Sequence, residues 1–208
     1  MLNVCELFKS IQGESTFAGK ICSFVRLAGC NLRCSYCDTS YSWDHGTTMA
    51  VDTIVKEIQK QKTTLVEITG GEPLIQDETP ALCSAFLHKG YTVLIETNGT
   101  LDISRLPEGC IRIMDIKCPS SGMSQKFQYD NLAHLVTTDQ CKFVMVDKSD
   151  FDWAARFIHT HHLLGKCEIV FSPVASSLQA KDLAHWILDS SLDVRLGIQL
   201  HKVIGDIL

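Results

Sequence analysis

Three cysteines in the run Gly29-Cys30-Asn31-Leu32-Arg33-Cys34-Ser35-Tyr36-Cys37-Asp38-Thr39 carry the strongest chemical signal in the chain. They are spaced C-x3-C-x2-C; the next cysteine is Cys83 and the nearest histidine is His45. A structural zinc takes four protein ligands, usually as two nearby pairs, and this triplet stands alone. An iron–sulfur cubane held by only three thiolates keeps one iron free for another ligand, and an open iron is a place for chemistry.

Other residues fit such a centre. The spacing resembles the signature of radical S-adenosylmethionine (SAM) enzymes, with Cys30, Cys34 and Cys37 as the cluster ligands. Downstream stands Thr69-Gly70-Gly71-Glu72-Pro73. Paired glycines remove side chains that would block a ligand and permit positive φ. A lone pair would be read as a tight turn, but with Glu72-Pro73 attached it resembles the GGEP motif that meets the amino group of SAM. Near the start, Gln12 offers an amide and Glu14 a carboxylate beside Gly13, a set that matches the amide-like edge of a pterin or guanine. Arg26 offers a planar fork suited to a carboxylate.

These residues need a scaffold, and β-like and helix-like segments alternate along the chain. Strands are predicted at 21–27, 65–69, 92–96, 110–116, 142–146, 168–172 and 195–200 from their β-branched and apolar content. Helices are predicted near 50–61, where Val51, Ile54, Val55 and Ile58 share a face, after Thr79 as cap with Pro80 first, near 149–161 behind a Ser149 cap, and near 178–189. Repeated β-then-α units imply a parallel sheet with right-handed crossovers. About seven strands are too few for an eight-fold barrel, so an incomplete, open (β/α) barrel of about six to seven parallel strands with helices outside is expected, as one domain over 1–208. In such folds the site lies at the carboxyl ends of the strands, where the cysteine loop falls.

Composition sets limits. The chain has 208 residues, 45% hydrophobic and 21% charged, with a formal charge of −5. No basic run marks a nucleic-acid surface, no apolar run is long enough for a membrane span, and no secretory signal is visible. The ten cysteines are therefore expected in the reduced state of a cytoplasmic protein, most of them as small buried apolar residues. His159, His161 and His162 are expected at a solvated helix end, because residues two apart on a helix face different ways.

The segment 8–14, the stretch 26–39, Thr69 to Pro73, Glu96-Thr97-Asn98-Gly99, Asp115-Ile116-Lys117-Cys118-Pro119 and Gln199-Leu200-His201-Lys202 together resemble the 7-carboxy-7-deazaguanine synthase family over nearly the whole chain. The resemblance implies an abbreviated radical SAM barrel, usually homodimeric. It implies conversion of 6-carboxy-5,6,7,8-tetrahydropterin to 7-carboxy-7-deazaguanine with loss of ammonia, in queuosine and deazapurine biosynthesis. SAM bound at a [4Fe–4S] cluster is used catalytically, Mg2+ is required, and a low-potential donor such as flavodoxin or ferredoxin supplies the electron. By position, Ile11, Gln12, Gly13, Glu14, Arg26, Thr69, Glu96 and His201 match substrate contacts. Tyr36, Cys37, Asp38, Gly71, Glu72, Cys118, Pro119, Ser120, Ser172, Pro173, Val174 and Ala175 match SAM contacts, and Thr39 matches the magnesium ligand. Cys118 is not expected to bind the cluster. Members often end in a proline that reaches the site, whereas this chain ends Gly205-Asp206-Ile207-Leu208. Two alternatives compete: a radical SAM activase acting on a partner protein, and a zinc module without enzymatic activity.

Overall fold

The computed structural model describes residues 1–205; Leu208, in place of the terminal proline, lies outside them. Among the described residues nine strands form one sheet. In chain order they are β1 (Leu2–Ile11), β2 (Ile21–Leu27), β3 (Thr47–Met49), β4 (Leu65–Gly70), β5 (Thr92–Thr97), β6 (Ile111–Asp115), β7 (Gln140–Met145), β8 (Glu168–Pro173) and β9 (Arg195–Leu196). Their spatial order is β3-β1-β2-β4-β5-β6-β7-β8-β9, and β2 through β9, taken in that order, run parallel. The expected open parallel barrel is therefore present. It also carries an antiparallel edge that the sequence reading lacked. The segment before Gln12 is a ten-residue strand, β1, paired antiparallel with both β2 and β3.

The helices are α1 (Val51–Lys60), α2 (Thr79–His88), α3 (Lys148–Thr160), α4 (Ala180–Ser190) and α5 (Leu200–Ile204). Among the described residues no α-helix joins β5 to β6 or β6 to β7, so the alternation of strand and helix is interrupted there; only short 3-10 turns intervene. Those segments carry glycine and proline and lack an apolar stripe. Buried Asn131 substitutes for the missing helix, donating to the Gly99 and Leu101 carbonyls and accepting from the Ile103 amide.

Three boundaries differ from expectation. Thr79 is the first residue of α2 rather than its cap, and its hydroxyl donates to the Pro73 carbonyl at 2.6 Å. The cap of α3 is Asp147, whose side chain accepts from the Asp150 amide, not Ser149. β9 ends at Leu196 instead of reaching 200, because the chain leaves the sheet so that Leu200 can donate to the Gly13 carbonyl at 2.9 Å.

Strand periodicity divides the barrel interior into tiers. Phe24, Leu65, Leu94 and Ile113 form an apolar plug with Cys22. Two residues further along the same strands stand Arg26, Glu67, Glu96 and Asp115, all lining the cavity above. Outward positions such as Val66, Ile68, Val93 and Ile95 pack into the large core with the helices.

The turn after β4 locks this frame. Gly70 has φ +143, and a Cβ there would collide with the Leu27 carbonyl; one on Gly71 would collide with the Gly29 carbonyl. The Gly71 and Glu72 amides donate to those same two oxygens, at 3.2 and 2.8 Å. The glycines thus make room for the cysteine loop's own backbone as well as for any ligand. Gly70→Ala should cost about 3 kcal/mol or more, lowering Tm by roughly 6–12 °C in thermal unfolding of the apoprotein. Gly90, at φ +80 with open space around it, is the control. Gly90→Ala should cost only about 1–2 kcal/mol, so equal losses at both positions would refute the close-approach account.

Candidate active site

A cavity of about 570 Å³ opens at the carboxyl ends of the parallel strands. Its lining includes Ile11, Gln12, Gly13, Glu14, Arg26, Thr69, Glu96 and His201, and also Cys30, Cys34, Cys37 and Thr39. Tyr36, Asp38, Gly71 and Val174 line it too. Of the remaining residues matched to SAM contacts, Glu72, Cys118, Pro119, Ser120, Ser172, Pro173 and Ala175 do not.

Glu72 is fully buried. Its carboxylate accepts from the Leu74 amide at 2.9 Å, the Thr97 hydroxyl at 2.9 Å and the Asn98 amide at 2.6 Å. This bridges the turn after β4 to the end of β5, a brace rather than a lining group. Burial raises its carboxyl above the usual range, although those donors oppose the shift. Cys118 is also fully buried, and burial pushes its thiol well up. The segment behind it supports the cysteine loop through its backbone: the Ser120 carbonyl accepts from the Ser35 hydroxyl and the Ser121 carbonyl from the Ser35 amide. Ser172 is buried below Gly197, and Ala175 is exposed.

The cysteine loop is pinned from several sides. Asn31 bonds Thr100 and Asn98, Gly29 donates to Ser42, and Arg33 donates to the Cys30 and Leu32 carbonyls while lying over the Trp43 ring at 4.4 Å. All three thiols are half-buried and free, and burial raises those of Cys30 and Cys34. Among the described residues, no three His, Cys, Asp or Glu side chains stand close enough to clasp one metal ion. A cubane spreads its corners wider than a single ion, and three soft thiolates on one pinned loop are the donor set it takes. The residues present fit a cluster.

Across the cavity lies a network of buried charge that sequence reasoning missed. The Lys142 ammonium on β7 contacts Glu14 at 2.8 Å, Asp115 at 3.4 Å and Glu96. Lys117 contacts Asp115 at 2.8 Å. Gln12 donates to Glu67 and accepts from the Glu14 amide, so its amide has one fixed orientation. Burial by itself would raise the Glu14 carboxyl, but Lys142, with help from Gln199, brings it below the usual range. Asp115 behaves likewise, its burial overcome by Lys117 and Lys142. Glu67 has no such partner. Burial, with Glu96 beside it, pushes it up to about 8. Asp115 Oδ1 and Gln199 Oε1 are buried without a partner among the described residues, leaving acceptor capacity at the lining.

Arg26 is held by Glu6, its neighbour across the β1–β2 ladder, at 2.5 Å, and its guanidinium lies over the rings of Phe8 and Tyr41. The C-terminal segment forms the rim: Gln199 donates to Glu14 at 2.8 Å and Lys202 to Asp38 at 2.6 Å. A Cβ on Gly13 would run into His201. His159 and His162 are exposed, while His161 lies partly buried against Phe157 and Tyr129, away from the cavity.

The Radical SAM superfamily model matches residues 25–117. The 7-carboxy-7-deazaguanine synthase of Koribacter versatilis is 40% identical, covering 98% of this chain and 96% of that one. The enzyme of the same name from Chlorobaculum tepidum is 43% identical, covering 98% and 94%. The chain belongs to the 7-carboxy-7-deazaguanine synthase family. The crystal structure of QueE from Escherichia coli shares the fold with a TM-score of 0.81 at 22% identity, covering 96% of this chain and 94% of that one. Membership makes the chain a radical SAM enzyme that works with a [4Fe–4S] cluster and SAM. Neither the activase nor the zinc module is favoured against these relatives.

The raised Glu67 carboxyl has a thermodynamic signature. A carboxyl raised in the folded state binds its proton more tightly there than in the unfolded chain, so stability falls with pH between the unfolded value, about 4.3, and the folded one, about 8. Glu67→Gln should cancel this loss. Its Tm relative to the parent should climb between pH 5 and pH 8.5, and a difference independent of pH would contradict the assignment.

Proposed function

We propose that the chain is a 7-carboxy-7-deazaguanine synthase, a carbon–nitrogen lyase acting on 6-carboxy-5,6,7,8-tetrahydropterin with loss of ammonia in queuosine and 7-deazapurine biosynthesis. The observation that carries the reading is convergence: every position matched to substrate lines the same cavity as the three cluster cysteines.

In this reading Cys30, Cys34 and Cys37 hold the cluster, leaving one iron for SAM. When bound, cluster and SAM supply hydrogen-atom abstraction at C6 of the pterin, the step that opens the way to ring contraction. The chain's own residues bind, orient and exclude water. Arg26 spends Nε on Glu6, so its two terminal nitrogens remain for the substrate carboxylate. Anionic Glu14 and Glu96 accept from the N–H groups of the pterin edge, with Gln12, Thr69 and His201 around them. Tyr36, Asp38, Gly71 and Val174 face SAM. The backbone of Cys118, Pro119 and Ser120, together with Ser172, Pro173, Ala175 and the Glu72 brace, holds the shape of its pocket. The rim contacts from Gln199 and Lys202 keep bulk water out.

Magnesium fits Thr39, whose hydroxyl lies at the cavity beside Asp38. A hard cation that retains several waters needs only one or two protein oxygens if the substrate supplies others. The reading further includes a homodimer, one domain over 1–208, a flavodoxin- or ferredoxin-type donor and a cytoplasmic setting. Among the described residues no helix is long and apolar enough to cross a membrane.

The test is an anaerobic assay of the reconstituted protein with carboxy-tetrahydropterin, SAM, reductant and Mg2+. It should yield the deazaguanine and ammonia; SAM cleavage without deazaguanine would refute the reading. Cys34→Ser should lose the brown cluster and SAM cleavage. Arg26→Ala should weaken pterin binding by roughly 10–100-fold, the worth of a charged hydrogen bond, while SAM binding is unchanged; unaltered pterin affinity would count against the carboxylate role.

A further inference from the structure

Lys142 has no assigned part in the reading above, yet it lines the cavity and contacts three of its carboxylates. It is 4% exposed, on a strand otherwise built of Gln140, Cys141, Phe143, Val144 and Met145. A buried ammonium is costly to desolvate unless it is well paired, and a packing role on β7 calls for no charge. Its three carboxylate partners come from three different places: the loop after β1, β5 and β6. Two of them, Glu14 and Glu96, are the pair read above as facing the substrate.

We infer that Lys142 is a positioning residue for the reaction: it holds Glu14 and Glu96 together as anions, so that the cavity floor accepts N–H donors and rejects ligands presenting acceptors there. The inference rests on the proposed substrate. Without the ammonium, Glu14, Glu96 and the buried Glu67 would face one another across one partly enclosed cavity, where like charges favour protonation of part of the set. Protonated carboxyls present donors, which oppose the N–H edge of the ligand. Lys142 therefore acts through the two glutamates and needs no contact with the substrate itself.

Other charged groups face this network. Glu67 projects from β4 and Arg26 from β2, Asp115 and Lys117 belong to β6 and the loop behind it, and His201 and Asp38 lie at the rim. Arg26 and Lys117 already have carboxylate partners in Glu6 and Asp115. Neither contacts Glu14, so neither takes the place of the missing ammonium there.

The experiment uses the anaerobically reconstituted holoenzyme with SAM but no reductant, so that no turnover occurs, and measures carboxy-tetrahydropterin binding by calorimetry from pH 6 to 9. Lys142→Met keeps the stem's bulk and removes the charge. It should retain iron, sulfide and SAM affinity but bind the pterin roughly 10–100-fold more weakly near pH 6.5, the range expected for lost charge-assisted hydrogen bonds. The deficit relative to the parent should shrink as pH rises and the carboxyls ionise. Lys142→Arg, which restores the charge, should recover much of the affinity with a deficit independent of pH. If the Met variant fails to fold, Lys142→Gln takes its place with the same expectations. Binding within about threefold of the parent at every pH, a deficit equally large at every pH, or an Arg variant no better than Met would overturn the positioning role. A parent that does not bind the pterin at all would overturn the substrate reading and this inference with it.

Discussion

Two backbone segments pressed against each other determine where everything else in the site can be. Leu27 to Gly29, leaving β2, lies so close to Gly70 and Gly71, leaving β4, that no Cβ fits between them. Two amide-to-carbonyl bonds close the seam, and Glu72 carries it across to β5 through Thr97 and Asn98. The cysteine loop begins at the end of this seam, so its position over the strand ends is set by backbone rather than by flexible side chains. A site that must hold reacting atoms within a fraction of an ångström benefits from such support. The additional props from Ser120 and Ser121 fix the far side of the same loop.

Below the loop, the interior changes character within a single strand step. The lower tier of Phe24, Leu65, Leu94 and Ile113 is apolar. The next inward positions are polar: Arg26 pairs with Glu6, while Lys142 and Lys117 answer Glu96 and Asp115. Gathering buried and half-buried carboxylates around one cavity disfavours folding, and natural proteins concentrate such conflicts at functional sites. Glu67, held up to about 8, records that conflict most directly. In the proposed function the network is the counterpart of the cysteine loop: one wall would take the cluster and SAM, the other the N–H edge of the pterin.

The sequence made the cysteine triplet, the paired glycines and most of the parallel strands legible, because each leaves a local signature in spacing or composition. β1 escapes a linear reading because its residues alternate irregularly around a bulge near Cys5, and its outer partner β3 is only three residues long. No α-helix is predicted after β5 or β6, and among the described residues none forms there; Asn131, distant in sequence, satisfies the backbone instead. Glu72 read as a ligand contact because a motif reports that a residue matters, not which way it points. Lys142 and Glu67 did leave a signal: single charges inside otherwise apolar strands, at positions that two-residue periodicity turns inward. That signal gains meaning only once neighbouring strands align Asp115 with Lys142.

The account rests most heavily on the claim that three thiolates leave one iron open beside the cavity. Electron paramagnetic resonance of the reduced, anaerobically reconstituted protein tests it directly. The account predicts iron and acid-labile sulfide in equal amounts, with a cluster signal whose g-values shift when SAM is added, because SAM ligates the open iron. A fully thiolate-ligated cluster indifferent to SAM, or a colourless protein carrying zinc, would contradict it.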